Sequence, residues 1–310
     1  MLRVGIVLYP EFQLMNLGVV AVMETANLIA QQRVYEIVLL SGTGGLVRCS
    51  AGFSVDTQAF DRSGFDTVLV VGDNVVTEAS PSLVAFLQRA ARRCRRIGAT
   101  CTGAFNLAQA GLLDGRRATT HWWFASRLQR EYPEINVEQD RIFIIDGPVW
   151  TSAGMTACID LALALVEKDL GSEVARLVAK KMVVYHRRAG GQSQYSALLE
   201  MEPRSDRIRS ALTYAKEHLD KDLSVEVLAD SAHLSPRQFS RAFRAETGQT
   251  PAKAVENLRI EAARLMLESG RHPVDIVARD TGFGDRNRMR RAFLRAFGQP
   301  PQMIRRIAAG

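Results

Sequence analysis

Along the first 185 residues, short apolar runs rich in β-branched residues alternate with segments of helical periodicity. Val4–Leu8, Ile37–Leu40, Thr67–Val71, Ile97–Thr100 and Ile142–Ile145 read as strands. Leu17–Gln31, Pro81–Arg95, Thr102–Ala110, Trp123–Glu131, Met155–Leu170 and Ser172–Tyr185 read as helices. Such alternation implies an α/β fold, a mainly parallel sheet flanked by helices on both faces. From His186 to about Pro203 the periodicity lapses into polar residues around Gly190-Gly191, which reads either as a passive linker or as a signal-transmitting hinge. Beyond Arg204 every pattern is helical. The pattern therefore divides the chain into an α/β domain (1–185), a linker (186–203) and an all-α domain (204–310).

The all-α part contains an internal repeat. Residues 235–251 align with residues 285–301, pairing Arg241/Arg291, Ala242/Ala292, Phe243/Phe293, Gly248/Gly298, Gln249/Gln299 and Pro251/Pro301 as identities. Each copy reads as helix, turn, helix. In the first, Ser224 caps Val225–Ser231, Ala232-His233-Leu234 turns, and Ser235 caps a helix with Pro236 at its first position and Gly248 at its end. In the second, Pro273–Thr281 leads, Gly282-Phe283-Gly284 turns, Asp285 caps Arg286–Phe297, and Gly298 closes. This is the helix-turn-helix design, whose second helix enters the DNA major groove. Thr250-Pro251 opens a connecting helix to about Glu268, with Val255, Leu258, Ala262, Leu265 and Met266 as its apolar stripe. A helix of roughly 25 Å could hold two recognition helices about one DNA turn apart.

Charge sharpens this picture. Residues 1–202 hold 20 Lys+Arg against 20 Asp+Glu, whereas residues 203–310 hold 20 against 13 and so carry the whole net +7. A basic half beside a neutral half points to a polyanion as partner of the basic one. Phe239, Ala242 and Phe243 fall at i, i+3, i+4, as do Met289, Ala292 and Phe293, so these faces pack inward. The opposite faces are basic, and residues 286–306 contain seven Arg and no acid. Arginine can bond guanine O6 and N7 or grip phosphate, and Asn can read adenine.

The segment from about Asp206 to Arg306 resembles the AraC/XylS DNA-binding domain, including its Gly282-Phe283 turn and Gly298-x-x-Pro301 ending. The resemblance places base-facing positions at Arg237, Ser240 and Arg241, then Arg286, Asn287, Arg288 and Arg291. It implies a transcription regulator that binds double-stranded DNA and engages RNA polymerase.

The first half has its own candidate chemistry. Arg96–Ala108 reads as a strand, a sharp turn at Cys101, and a helix. Such an elbow exposes a side chain at the carboxyl edge of a sheet, and a following helix N-terminus favours a thiolate or a bound anion. His121 falls at another strand end and could pair with Cys101 as a base. The cysteines Cys49, Cys94, Cys101 and Cys158 show no C-x-x-C spacing, which excludes a disulfide framework or structural metal, and no cofactor is implied. The first apolar run is only about five residues, too short for a signal peptide or membrane span, so a cytoplasmic protein is expected. The Arg89–Arg96 cluster reads as a solvated helix end.

Residues 1–185 resemble the ThiJ/PfpI, class I glutamine amidotransferase-like domain, through the Cys101 elbow, the run Gly111–His121 and the run Thr151–Ala157. That resemblance implies Cys101 and His121 as ligand-binding residues, a small nitrogen-containing metabolite as effector, and a homodimer. In ThiJ/PfpI enzymes an acidic residue of the first helix approaches the cysteine. Asn16–Val22 supplies none here and Glu24 comes late, so the expectation is a sensor and not an enzyme. The alternatives are a thiol hydrolase using Cys101 and His121, and a factor whose first half only dimerises.

Overall fold

The computed structural model describes residues 1–60, 64–184, 188, 190, 194, 201, 203–268, 272–297 and 300–303. They form two compact units, Met1–Gln194 and Tyr195–Gly310. The break falls inside the stretch expected to be a linker. Within that stretch, Arg188 and Gln194 are hydrogen-bonded into the first unit and Met201 is buried in the core of the second. The last strap of the first domain and the first residue of the second core thus lie beyond the expected boundaries at 185 and 204. Tyr185 and Gly298, expected to end helices, lie outside the described residues.

The first unit is built on an eight-stranded sheet in the order β3-β4-β2-β1-β5-β6-β10-β9. Its strands are β1 (Leu2–Val7), β2 (Tyr35–Ser41), β3 (Thr43–Arg48), β4 (Ser54–Ala59), β5 (Thr67–Val70), β6 (Arg96–Thr100), β9 (Phe143–Asp146) and β10 (Val149–Ser152); β7 (Arg117–Ala118) and β8 (Asn136–Val137) pair separately. The central strands are parallel, and antiparallel β3 and β9 close the edges. Helices α1 (Gly18–Ala30), α5 (Ala157–Leu170) and α6 (Ser172–Lys181) bury one apolar cluster against the sheet. Helices α2 (Pro81–Ala91), α3 (Gly103–Gln109) and α4 (Trp122–Glu131) cover the other. Central β5 is buried along its whole length and reads as an unbroken apolar run; the pattern missed the largely exposed, polar hairpin β3–β4 and also buried β10, whose Thr151 and Ser152 break its apolar run.

The second unit is helical: α7 (Asp206–Glu217), α8 (Val225–Ser231), α9 (Pro236–Thr247), α10 (Pro251–Glu268), α11 (Val274–Asp280) and α12 (Arg286–Phe297). Ile208, Leu228, Phe239, Phe243 and Leu258 share one core, and Ile260, Leu267, Val277, Met289 and Phe293 share another. Helix α10 serves both, and this corrects its expected stripe. Val255 and Leu258 are buried as expected, but farther along Ala263 and Leu267 are buried while Leu265 is 37% exposed. A helix that changes partner midway turns a different face inward in each half. Among the described residues no helix is long and apolar enough to cross a membrane.

Candidate nucleic-acid interface and effector site

Each helix-turn-helix is set by its caps. Ser235 accepts from the Gln238 amide while Gln238 reaches back to the Ser235 backbone, and Pro236 fills the first helical position. At α12, Asp285 Oδ1 accepts from the backbone N–H of Asn287 (2.7 Å) and Arg288 (2.9 Å). The Arg288 amide, ahead of the one at Asn287, holds the Asp285 carboxyl below its usual range. The two turns repeat at an offset of 49, one less than the helices they precede. His233 N–H donates to Asp230 O and Leu234 N–H to Ala229 O, as Gly282 N–H donates to Arg279 O and Phe283 N–H to Ala278 O. Both turns put a left-handed residue at that point, His233 at φ 53 and Gly282 at φ 75. Gly282 is obligatory there, because a Cβ would lie 1.8 Å from Leu219 O.

With Phe239, Phe243, Met289, Ala292 and Phe293 facing inward, the opposite faces carry Arg237, Arg241 and Arg244 on α9 and Asn287, Arg290 and Arg291 on α12, all exposed. Ser240 is half-buried at the edge of its face. Its counterpart at an offset of 50 is Arg290, which the sequence places on the outward basic face but the resemblance does not place among the base-facing positions. The arginines of α12 are not equivalent. Arg286 is held in an ion pair by Asp275, Arg288 lies 3.7 Å from Asp285, and Arg295 pairs with Glu256 of α10 at 2.7 Å. Among the described residues Arg237, Arg241, Arg290 and Arg291 form no ion pair, leaving them available to an external anion. Arg288, Arg291 and Arg295 line a cleft of about 330 Å³ against Glu256 and Arg259 of α10.

In the first unit, β6 ends at Thr100 and is followed by Cys101, whose φ of 53 makes the sharp turn into α3. Register brings three strand ends together here, since Val70 of β5 pairs with Ala99 and Ser152 of β10 with Thr100. Cys101 N–H donates to Ser152 O (2.9 Å) and its carbonyl accepts from Thr120 Oγ1 (2.7 Å). Gly154 (φ 77) allows the close fit, for a Cβ there would sit 2.2 Å from Cys101 Cβ.

The expected thiolate does not form. Cys101 is 4% exposed, and burial pushes its thiol up to about 11; the Asp73 charge adds to this, and the Thr102 amide only partly offsets it. His121 follows Thr120, whose Oγ1 bonds Cys101 O, and is the N-cap of α4, with Nδ1 accepting from Trp123 N–H at 3.3 Å. Burial lowers its pKa, so the ring is neutral near pH 7. Cys101 Sγ donates to Asp73 O at 4.0 Å and faces the Thr102 amide, and among the described residues it makes no bond to His121.

The sequence reading missed two neighbours. Asp73, just past β5, is 3% exposed with its carboxyl raised by burial, and Asn16 is fully buried. Among the described residues Asp73 Oδ2 and Asn16 Oδ1 have no hydrogen-bond partner. Asp73 was findable, because α/β folds bind ligands just outside the carboxyl ends of adjacent strands; Asn16 enters only through the path of the 3-10 turn Leu14–Leu17.

A family model described as the DJ-1/PfpI family matches residues 3–168, and one described as a helix-turn-helix domain matches residues 228–307. Over 310 residues the chain is 30% identical to the HTH-type transcriptional regulator GlxA of Rhizobium meliloti (strain 1021), covering 98% of this chain and 95% of that one. It is also 30% identical to an isonitrile hydratase of Pseudomonas putida, over 57% of this chain and 76% of that protein. Among solved structures, an AraC family transcriptional regulator from Pseudomonas putida aligns with a TM-score of 0.55 at 22% identity, covering 59% of this chain and 100% of that one; this likeness concerns the fold.

Proposed function

From the premise that this chain belongs to the DJ-1/PfpI family and carries the AraC-type helix-turn-helix domain of a transcriptional regulator, we propose that its first unit binds a small nitrogen-containing metabolite that sets the activity of the second. The chain is a DNA-binding transcriptional regulator. In this reading it works in the cytoplasm as a homodimer. Arg237, Ser240, Arg241, Asn287 and Arg291 face the bases, Arg286 and Arg288 flank them, and bound dimers meet RNA polymerase.

The observation that supports sensing over turnover is the chemistry around Cys101. Among the described residues two buried acceptors, Asp73 Oδ2 and Asn16 Oδ1, lack donors, and a nitrogen-bearing ligand supplies N–H groups. Turnover needs the thiol to lose its proton to a base, whereas burial pushes Cys101 up to about 11 and, among the described residues, it makes no bond to His121. The test is a thermal-shift screen of the full chain against amines, amino acids and amides. A true effector raises Tm saturably, since it binds only the native state. Asp73→Asn and Cys101→Ser should remain folded and lose that shift; an undiminished shift in both would place the ligand elsewhere.

One observation favours a second reading. Asp73 brings a carboxyl group beside the thiol, and the isonitrile hydratase matches this half of the chain. If the purified protein turns over an isonitrile or an amide, and Cys101→Ser abolishes it, a thiol-dependent enzyme replaces the sensor.

A further inference from the structure

Within the second unit, the second helix-turn-helix is tied to the first at the turn before α12 and again near the end of that helix. Helix α10 runs between them: Val255 belongs to the core of the first, Ile260 and Leu267 to the core of the second. At the turn, Gly282 lies so close to Leu219 O, in the loop after α7, that a Cβ would come within 1.8 Å. Arg259 of α10 holds the same loop through Leu219 O (3.1 Å) and Lys221 O (2.8 Å). Near the end of α12, Arg295 Nη2 donates to Glu256 Oε2 at 2.7 Å, and Lys253 Nζ donates to Glu256 Oε1 at 2.9 Å, so both carboxylate oxygens are used. Burial disfavours the charge on Glu256, and Lys253 and Arg295 more than offset it, holding the carboxyl below its usual range. Between the turn and this ion pair the cleft of about 330 Å³ separates Arg288 and Arg291 of α12 from Ala252 and Val255 of α10.

We propose that Glu256 is a positioning residue that gauges the spacing between the two reading helices, with the Gly282 turn as pivot and the Glu256–Arg295 pair as strut. The inner face of α12 is held by Met289, Ala292 and Phe293 in an apolar core. Apolar burial resists separation but has no direction, so the tilt of the helix is left to the directional contacts near its ends. A charged pair is the stronger kind of such contact. The cleft gives the far end of α12 room to move against α10 once the pair opens. Such movement matters on DNA, where one base pair is a rise of about 3.4 Å and a turn of about 34°. A displacement of that order changes which separation of the two major-groove segments fits the protein. The gauge rests on the reading that both helices engage DNA, and a footprint tests that reading by itself.

A duplex selected in vitro by the full-length wild type is footprinted, and one base pair is then inserted between its two protected segments. The spacing penalty is the ratio of the two dissociation constants, measured by equilibrium titration at one salt concentration. A change in the protein's net charge cancels in that ratio, because both duplexes offer nearly the same phosphates. The wild type should show a penalty of about tenfold or more. Full-length Glu256→Gln and Arg295→Gln should each bind the selected duplex within about fivefold of wild type. Each should also lower the penalty by about fivefold, the most that an ion pair this open to solvent supplies. The double variant, which restores the wild-type net charge, should lower it no further than either single one. Circular dichroism checks the fold, and if Glu256→Gln does not fold, Arg295→Gln, at an exposed side chain, carries the test alone. An unchanged penalty in folded variants overturns the gauge, and so does a wild type that binds both duplexes alike. Additive loosening in the double variant overturns it as well, since the two residues then act separately. A footprint with a single protected segment instead removes the two-helix reading, and the gauge falls with it.

Discussion

Arg241 and Arg291 occupy the same place in the two recognition helices, exposed and without an ion pair among the described residues, whereas Arg286 is engaged by Asp275. Replacing Arg241 or Arg291 by Ala should therefore weaken specific binding by about 1–3 kcal/mol, as measured by equilibrium titration of a selected duplex. Arg286→Ala should cost less, and equal losses at all three would mean that the ion pair opens on DNA. Cys101 makes a different test. With its thiol near 11 against an ordinary 9.0, the thiolate fraction near neutral pH is about a hundredfold below that of a free cysteine. Iodoacetamide labelling of Cys101 in the native protein should be slower by at least that factor and rise only as pH approaches 11. Because the folded pKa is the higher one, this group's contribution to stability is complete below pH 9 and is lost as pH climbs toward 11. Rapid labelling at pH 7 would show that the site opens. The sequence placed Cys101 at the turn from strand to helix where it is found, and His121 beyond a strand end, which proves to be that of the separate short strand β7. It misjudged the charge state, because burial beneath Gly154 and Asp73 outweighs the amides of a short helix.

The helix-turn-helix elements were legible almost to the residue, since their signals are local: Ser235, Pro236 and Gln238 make a cap within one turn, and Asp285 does the same. The turns carry a sharper consequence. Gly282 and Gly284 both have positive φ, yet a Cβ at Gly284 would meet nothing within 4 Å while one at Gly282 would strike Leu219 O. Gly284→Ala should cost about 1–2 kcal/mol for the left-handed backbone alone. Gly282→Ala carries that cost plus a clash with backbone that cannot give way, and should exceed it in chemical denaturation. Similar losses would mean that the loop around Leu219 moves aside. Arg259 gives a reason to expect otherwise, since its guanidinium donates to both Leu219 O (3.1 Å) and Lys221 O (2.8 Å) and fixes that loop. Helix α10 was less legible. A single periodic stripe cannot describe a helix that serves two cores, so Ala263 and Leu267 were passed over for Ala262 and Leu265.

At the scale of the whole molecule, the first unit, at net +2, and the more basic second unit, at net +5, should separate. A fragment starting at Tyr195 should fold and bind DNA alone, more weakly than the full chain and with a steep salt dependence from released counterions. A fragment starting at Arg204 lacks Met201, which is fully buried, and should be less stable by roughly 2–5 kcal/mol, as for other buried side chains removed from a core. Equal stability of the two by thermal denaturation would remove Met201 from that core. The sequence by itself determined the alternation that makes an α/β sheet, the repeat that makes two helix-turn-helix units, and the charge that assigns them to DNA. Each of these is legible in the order or composition of the residues alone, with no knowledge of which distant residues meet. Only the tertiary structure decided what depends on residues far apart in the chain. It set Asp73 beside Cys101 across parallel strands, kept that thiol protonated, and brought Gln194 back 74 residues to Thr120 O. No local pattern encodes such meetings, because strand order and the return path of the chain fix them.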